Sequence, residues 1–156
     1  STSMSNTYSQ IYLHVVFAVK YRRAQIPLDK REEIYNYIAG IVSYNKCKLM
    51  CIGGVSDHVH LLISLSPTVC LSKLMQSVKI GSSNFISGQH YSDHPFHWQE
   101  GYGAFSVSAI HINVVTDYIN NQFEHHSKTS FLNEYRQLLG KNDVIYNPDY
   151  IFKELQ

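Results

Sequence analysis

His58 and His60 stand two apart in Asp57-His58-Val59-His60-Leu61-Leu62-Ile63. On a strand, both imidazoles point to one face and Val59 to the other. Further along, Asp117-Tyr118-Ile119-Asn120-Asn121-Gln122 sets Tyr118 four residues before Gln122, the spacing that puts two side chains on one face of a helix. Two imidazoles suit Mn, Co, Ni or Zn and tolerate Mg. Gln122 offers a neutral carbonyl as third ligand, which leaves the ion more electrophilic towards phosphate than a carboxylate would. Such an ion polarises a scissile phosphate and offsets charge developing in the transition state. A phenol has a pKa of about 10, so Tyr118 needs a nearby cation to act as nucleophile. Attack on phosphorus would leave O-phosphotyrosine and a free hydroxyl. The plainer alternative is two polar side chains on a solvent-facing strand and one helical tyrosine among 12.

Other polar groups compete less well. His125 and His126 adjoin on the same helix, and neighbours there diverge by about 100°, so surface or substrate-contact roles are expected. His90, His94 and His97 lack convergent Cys or carboxylate partners, and His111 reads as solvated. Lys20, Arg22 and Arg23 lie where a strand empties into a loop, and Lys79 on a later helix. Their plain role is solubility. Their functional role would be phosphate contacts that place single-stranded DNA without reading its sequence. Trp98, Tyr102 and Phe105 could stack bases, with at least one of them expected in the core.

The elements that must position these groups follow from apolar patterning. Residues 9–19 (SQIYLHVVFAV) read as a strand buried on both faces or nearly so. A helix follows from Asp29 to Asn45 on the stripe Ile34, Ile38, Ile41 and Val42, with Asp29 as N-cap and Glu32 at the capping-box position. Strands over 47–53 and 58–66 flank a Gly-containing turn and make an antiparallel pair. Residues 72–86 read as a helix, 101–108 as a short strand, 113–126 as the helix bearing Tyr118, and 131–139 as a small helix before an extended docking tail. The order β-α-β-β-α-β is that of an α+β, ferredoxin-like plait with helices chiefly on one sheet face, followed by an additional C-terminal helix that carries the nucleophile. Residues 8–156 are expected to form one domain. Residues 1–7 are expected to be a flexible lead in which Ser1-Thr2-Ser3 precede the natural start, Met4.

An apolar content of 44% with 16% charged residues excludes a disordered or fibrous chain. No apolar run is long enough to span a bilayer, and no export leader is evident. Cys47, Cys51 and Cys70 lack ligand spacing and read as buried thiols of a reducing cytoplasm. The net charge of +1 hides an asymmetry: residues 1–80 carry 9 Lys and Arg against 4 Asp and Glu, and residues 81–156 carry 4 against 8. The first part therefore offers a surface for an anionic partner.

Together these segments resemble the IS200/IS605-like single-tyrosine transposases of the HUH nuclease superfamily. The resemblance runs from Tyr8 to Tyr135. It is carried by His14-Val15-Val16-Phe17 with Lys20-Tyr21-Arg22, by Asp57-His58-Val59-His60-Leu61-Leu62, by Phe96-His97-Trp98-Gln99-Glu100-Gly101-Tyr102 and Phe105-Ser106-Val107-Ser108, and by Tyr118-Ile119-x-Asn121-Gln122-x-x-His125-His126. The His-hydrophobic-His element is weak alone; in this succession it is specific. The resemblance implies that His58, His60 and Gln122 bind a divalent ion, Mg²⁺ or Mn²⁺, and that Tyr118 is the nucleophile. It implies a cytoplasmic homodimer of a bacterial or archaeal cell, with shared active sites and sheets that join. Its substrate would be single-stranded DNA with hairpins, cut and rejoined at element ends through a 5′-phosphotyrosine. Alternatives are an HUH endonuclease acting on repetitive palindromic DNA without self-transposition, and a noncatalytic nucleic-acid-binding module.

Overall fold

The computed structural model describes residues 7–156. Of the flexible lead expected over residues 1–7, residues 1–6 lie outside the described residues. The strands are β1 (Tyr12–Ala18), β2 (Lys48–Val55), β3 (His58–Ser64) and β4 (Gly103–Val107); the helices are α1 (Arg31–Tyr44), α2 (Leu71–Gly88), α3 (Ile112–Asn120), α4 (Gln122–His126) and α5 (Phe131–Lys141). The four strands form one sheet in the order β2-β3-β1-β4, antiparallel at every pairing. This is the β-α-β-β-α-β plait with extra C-terminal helices.

Strand register divides the chemistry from the core. Directly paired residues share a sheet face, so the pairs Val15–Leu61, Phe17–Val59 and Leu13–Ile63 lie on one side, and His14–Leu62, Val16–His60 and Ala18–His58 on the other. The first side packs against Ile34, Ile38 and Val42 of α1 and Leu74, Met75 and Val78 of α2, all buried. The second side is covered by α3, α4 and α5, with Phe131, Tyr135 and Leu139 buried against it. Helices therefore sandwich the sheet instead of lying chiefly on one face. The reason is visible in β3, where His58 and His60 are as fully buried as Val59, Leu61, Leu62 and Ile63 beside them. Such a strand needs cover on both sides.

Several local expectations change. A 3-10 turn over Leu28–Lys30 precedes α1, whose N-cap position is Lys30 without a side-chain cap, so Asp29 and Glu32 form no capping box. Cys47 is buried, but Cys51 is half-buried and Cys70 exposed. The single helix expected over 113–126 divides at Asn121, whose N–H is shared between the Asp117 and Tyr118 carbonyls at 3.1 and 3.3 Å. The tail docks as expected. Phe152 lies against Phe131 and Tyr135, and Gln156 exchanges backbone hydrogen bonds with Lys20 and Arg22. Among the described residues no helix is long and apolar enough to cross a membrane.

One glycine sets the height of the tyrosine helix. A Cβ on Gly53 in β2 would stand 2.5 Å from the Ile119 carbonyl oxygen and 2.9 Å from Ile119 Cγ2. Ile119 is the buried residue of α3, so backbone meets backbone here and only glycine fits. Gly53→Ala is expected to cost about 1–3 kcal/mol of stability, read as a lower midpoint in urea, because α3 must lift from the sheet.

Candidate metal centre and nucleophile

Three imidazoles are tied down at one ring nitrogen and converge with the other. His58 donates Nδ1–H to Asp57 Oδ1 at 2.7 Å. His60 Nδ1 meets His14 Nε2 at 2.8 Å, across from β3 to β1. His126, at the end of α4, donates Nδ1–H to the Thr129 carbonyl at 2.9 Å. The Nε2 atoms of His58, His60 and His126 then lie 3.3, 3.2 and 2.9 Å from a single atom, Oε1 of Glu134 on α5. An imidazole fixed at one nitrogen presents the other as a preoriented donor, the arrangement of metal-ligating histidines.

The other carboxylate oxygen is turned to Tyr118. Glu134 Oε2 accepts the Tyr118 hydroxyl and, at 3.0 Å, the Gln122 side-chain N–H. Gln122 turns its carbonyl oxygen to His58 Nε2 at 2.9 Å. The Tyr118 ring stands edge-on to His60, with centroids 5.7 Å apart. His125 Nε2 is buried and, among the described residues, has no hydrogen-bond partner, although it lies 3.5 Å from Glu134 Oε2. Among the described residues, every ion pair of Glu134 is with a histidine.

Burial and charge sort the protonation states. Burial works against a charge on His58, but the Asp57 and Glu134 carboxylates outweigh it and push the imidazole up to about 9. Burial holds His60 down to about 4, reinforced by the neighbouring His58 charge. Burial likewise lowers His14 to about 3, so the His14–His60 pair is neutral. Glu134 overcomes its own burial through hydrogen bonds from His126, His58 and His60 and stays ionised well below the usual carboxylate range. Tyr118 is held far above an ordinary phenol by burial and by the adjacent Glu134 carboxylate.

These donors fit a divalent ion. His58, His60, His126 and Glu134 each offer a ligand atom, all within 4.8 Å of one another, and among the described residues no ammonium or guanidinium competes for the carboxylate. A proton and an ion exclude each other on His58 Nε2. With the imidazole pushed up to about 9, Mn²⁺ affinity should rise by up to tenfold per pH unit from pH 7 and level off above about pH 9. Calorimetry in two buffers of different ionisation enthalpy checks both the slope and the released proton.

The groups singled out in the sequence are thus brought together in part. His58, His60, Tyr118 and Gln122 share one site. His126 joins it and is nearly buried, contrary to the surface role expected of it. Glu134 and His14 were not anticipated. Their signals were a charged residue on the inward stripe Phe131, Glu134, Tyr135 of an amphipathic helix and a histidine inside an otherwise apolar strand.

The expected DNA contacts disperse. Trp98 is a correction: it is 8% exposed, packs on Phe17 and Phe96, and donates its indole N–H to Ser82, so its ring belongs to the core and offers no face to a base. Lys79 spends its ammonium on the Gln99 and Gly101 carbonyls at 2.6 and 2.8 Å, closing a loop. Tyr102 packs on the margin of the core. Lys20 lies over the Tyr21 ring, while Arg22 and Arg23 line a cleft of about 430 Å³ with Tyr21, His94, Pro95 and His97.

A plait whose interior strand turns paired histidines towards a helix-borne tyrosine defines the HUH class of single-tyrosine nucleases and transposases. The family model "Transposase IS200 like" matches residues 7–122, and the chain belongs to that family. It is an enzyme of the nuclease and transposase kind. It is 26% identical over 128 residues to the transposase for insertion sequence element IS200 of Salmonella typhimurium, covering 78% of this chain and 83% of that one, with the same figures for the Salmonella typhi protein. The fold is similar to that of a candidate transposase of Deinococcus radiodurans (TM-score 0.59, 19% identity, 78% of this chain and 98% of that one). It is also similar to a REP-associated tyrosine transposase bound to a REP hairpin (TM-score 0.60, 12% identity, 98% of this chain and 93% of that one).

Proposed function

We propose that the chain cleaves and rejoins single-stranded DNA at hairpin-bearing ends by tyrosine transesterification, as one catalytic unit over residues 8–156. The observation that carries this reading is the placement of the Tyr118 hydroxyl, the His58 and His60 Nε2 atoms and the Gln122 carbonyl around one buried point. His58, His60 and Gln122 would hold a divalent ion, Mg²⁺ or Mn²⁺. Bound there, the ion would polarise a non-bridging phosphate oxygen and offset charge on the departing one.

The remaining work falls to side chains. The Tyr118 oxygen, oriented by its hydrogen bond to Glu134, attacks phosphorus, and the P–O3′ bond breaks. The products are a 5′-phosphotyrosine and a 3′-oxygen that takes up the phenol proton as a hydroxyl. Reversal with another 3′-hydroxyl rejoins the strands with no other energy source. The unpaired His125 Nε2 beside this pair suits a phosphate oxygen. Arg22 and Arg23 at their cleft suit the DNA backbone.

One chain brings Tyr118 to its own histidines, so each subunit of a homodimer would carry a site composed of its own residues. The hairpin-bound relative favours a second reading, action on dispersed palindromic repeats, which shares this chemistry and differs in substrate. Incubating the protein with Mn²⁺ and labelled single-stranded DNA ends tests the proposal. A denaturing gel should show cleaved, protein-linked and rejoined DNA; intact DNA with every candidate end and repeat would refute it.

A further inference from the structure

We infer that Glu134 Oε1 and His126 Nε2 belong to the ligand shell of the ion, making it a three-imidazole, one-carboxylate centre that selects Mn²⁺-like transition metals over Mg²⁺, with Glu134 Oε2 retained on the Tyr118 hydroxyl. This rests on the proposed ion site at His58 and His60 and deepens it. The two additional residues lie beyond Gln122, where the family match ends.

The first argument is spacing. For metal–ligand bonds of about 2.1 Å, neighbouring donors stand about 3.0 Å apart on an octahedron and about 3.4 Å apart on a tetrahedron. Glu134 Oε1 stands 2.9, 3.2 and 3.3 Å from the Nε2 atoms of His126, His60 and His58. Gln122 Oε1 stands 2.9 Å from His58 Nε2. These four donor pairs stand at edge lengths of a coordination shell.

The second argument is orientation. His126 is treated as the other two histidines are: its Nδ1–H is tied to the Thr129 carbonyl, which leaves Nε2 as the inward donor. A surface imidazole needs no such tie. Glu134 is 1% exposed and, among the described residues, its ion pairs are all with histidines, groups that bind metals equally well, while the Tyr118 hydroxyl and Gln122 N–H occupy its other oxygen.

The third argument is donor chemistry. Three imidazoles beside one carboxylate suit transition ions, whereas Mg²⁺ keeps oxygen ligands and several waters. The carboxylate lowers the ion's pull on phosphate but raises its affinity, so the DNA-free protein would hold its ion. Because Oε1 faces the ion and Oε2 the phenol, one side chain sets the distance between them.

Calorimetric titration of the DNA-free protein with Mn²⁺ and with Mg²⁺ tests this. The wild type should bind Mn²⁺ much more tightly than Mg²⁺, and E134Q, with its shape kept, should lose about 100-fold in Mn²⁺ affinity, at the top of the range for orienting groups or above it. His126→Asn should lose a similar factor. Spin-echo spectra of bound Mn²⁺ should show three imidazole nitrogens in the wild type and two in H126N, a count that folding stability does not alter. Tighter Mn²⁺ binding by E134Q would mean that the carboxylate competes with the ion, and overturns the inference. If H58A loses Mn²⁺ while E134Q and H126N keep it, this inference fails and the ion site stands. If the wild type takes up no Mn²⁺, both fail.

Discussion

Tyr118→Phe is expected to bind hairpin-bearing DNA as the wild type does and to form no covalent adduct. The substitution removes one atom. The ring keeps its edge-on packing against His14 and His60, with centroids 6.0 and 5.7 Å away. Glu134 Oε2 loses the phenol but keeps the Gln122 N–H at 3.0 Å. The stability cost is therefore that of one hydrogen bond to a buried charged group, about 1–3 kcal/mol. Cleavage should fall by about 10⁴-fold or more, as when a nucleophile is deleted from a cooperating set. Labelled DNA on a denaturing gel reads the adduct, and gel shift under native conditions reads binding. An adduct that survives would make another residue the nucleophile and Tyr118 a packing aromatic.

What was legible in the sequence follows from the range of each interaction. His58 and His60 are two apart on a strand, so local geometry alone sets that pair on one face, and Tyr118 and Gln122 stand one helical turn apart across the break between α3 and α4, where both reach Glu134. The plait's order was legible for the same reason, since each element announces itself by its own periodicity. Glu134 was not, because its partners lie 74 residues away in His60 and 16 in Tyr118, and only the packing of α5 over the sheet joins them. Residue spacing also misdirected the reading of His126. Adjacent helical residues do diverge, and His125 and His126 reach different oxygens of one carboxylate, which two-residue geometry does not foresee. Trp98 failed as a DNA contact on a related ground. An aromatic ring in an irregular segment suits stacking or core equally, and the pairing of Val19 with Trp98 turned it inward.

His58→Ala should abolish metal-supported cleavage while hairpin binding persists, and should leave a signature in stability that depends on pH. The side chain touches Asp57, Gln122 and Glu134 at once. Its loss removes one partner from the buried Glu134 carboxylate, which keeps His60, His126, Gln122 and Tyr118, a defect of about 1–3 kcal/mol. His58 is pushed up to about 9 by Asp57 and Glu134 against its burial, and an unfolded histidine titrates near 6.5. A group raised in the folded state contributes stability in full below the unfolded value and loses it as pH rises through the folded one. Without metal, the gap in melting temperature between wild type and H58A should therefore be widest near pH 6 and narrow towards pH 10. Added Mn²⁺ should raise the melting temperature of the wild type by mass action and leave H58A unmoved. Because the ion needs His58 unprotonated, that rise should grow with pH over the interval in which the metal-free gap shrinks. A gap that ignores pH, with Mn²⁺ stabilising both proteins alike, would remove His58 from the ion and reduce the cluster to a buried polar knot.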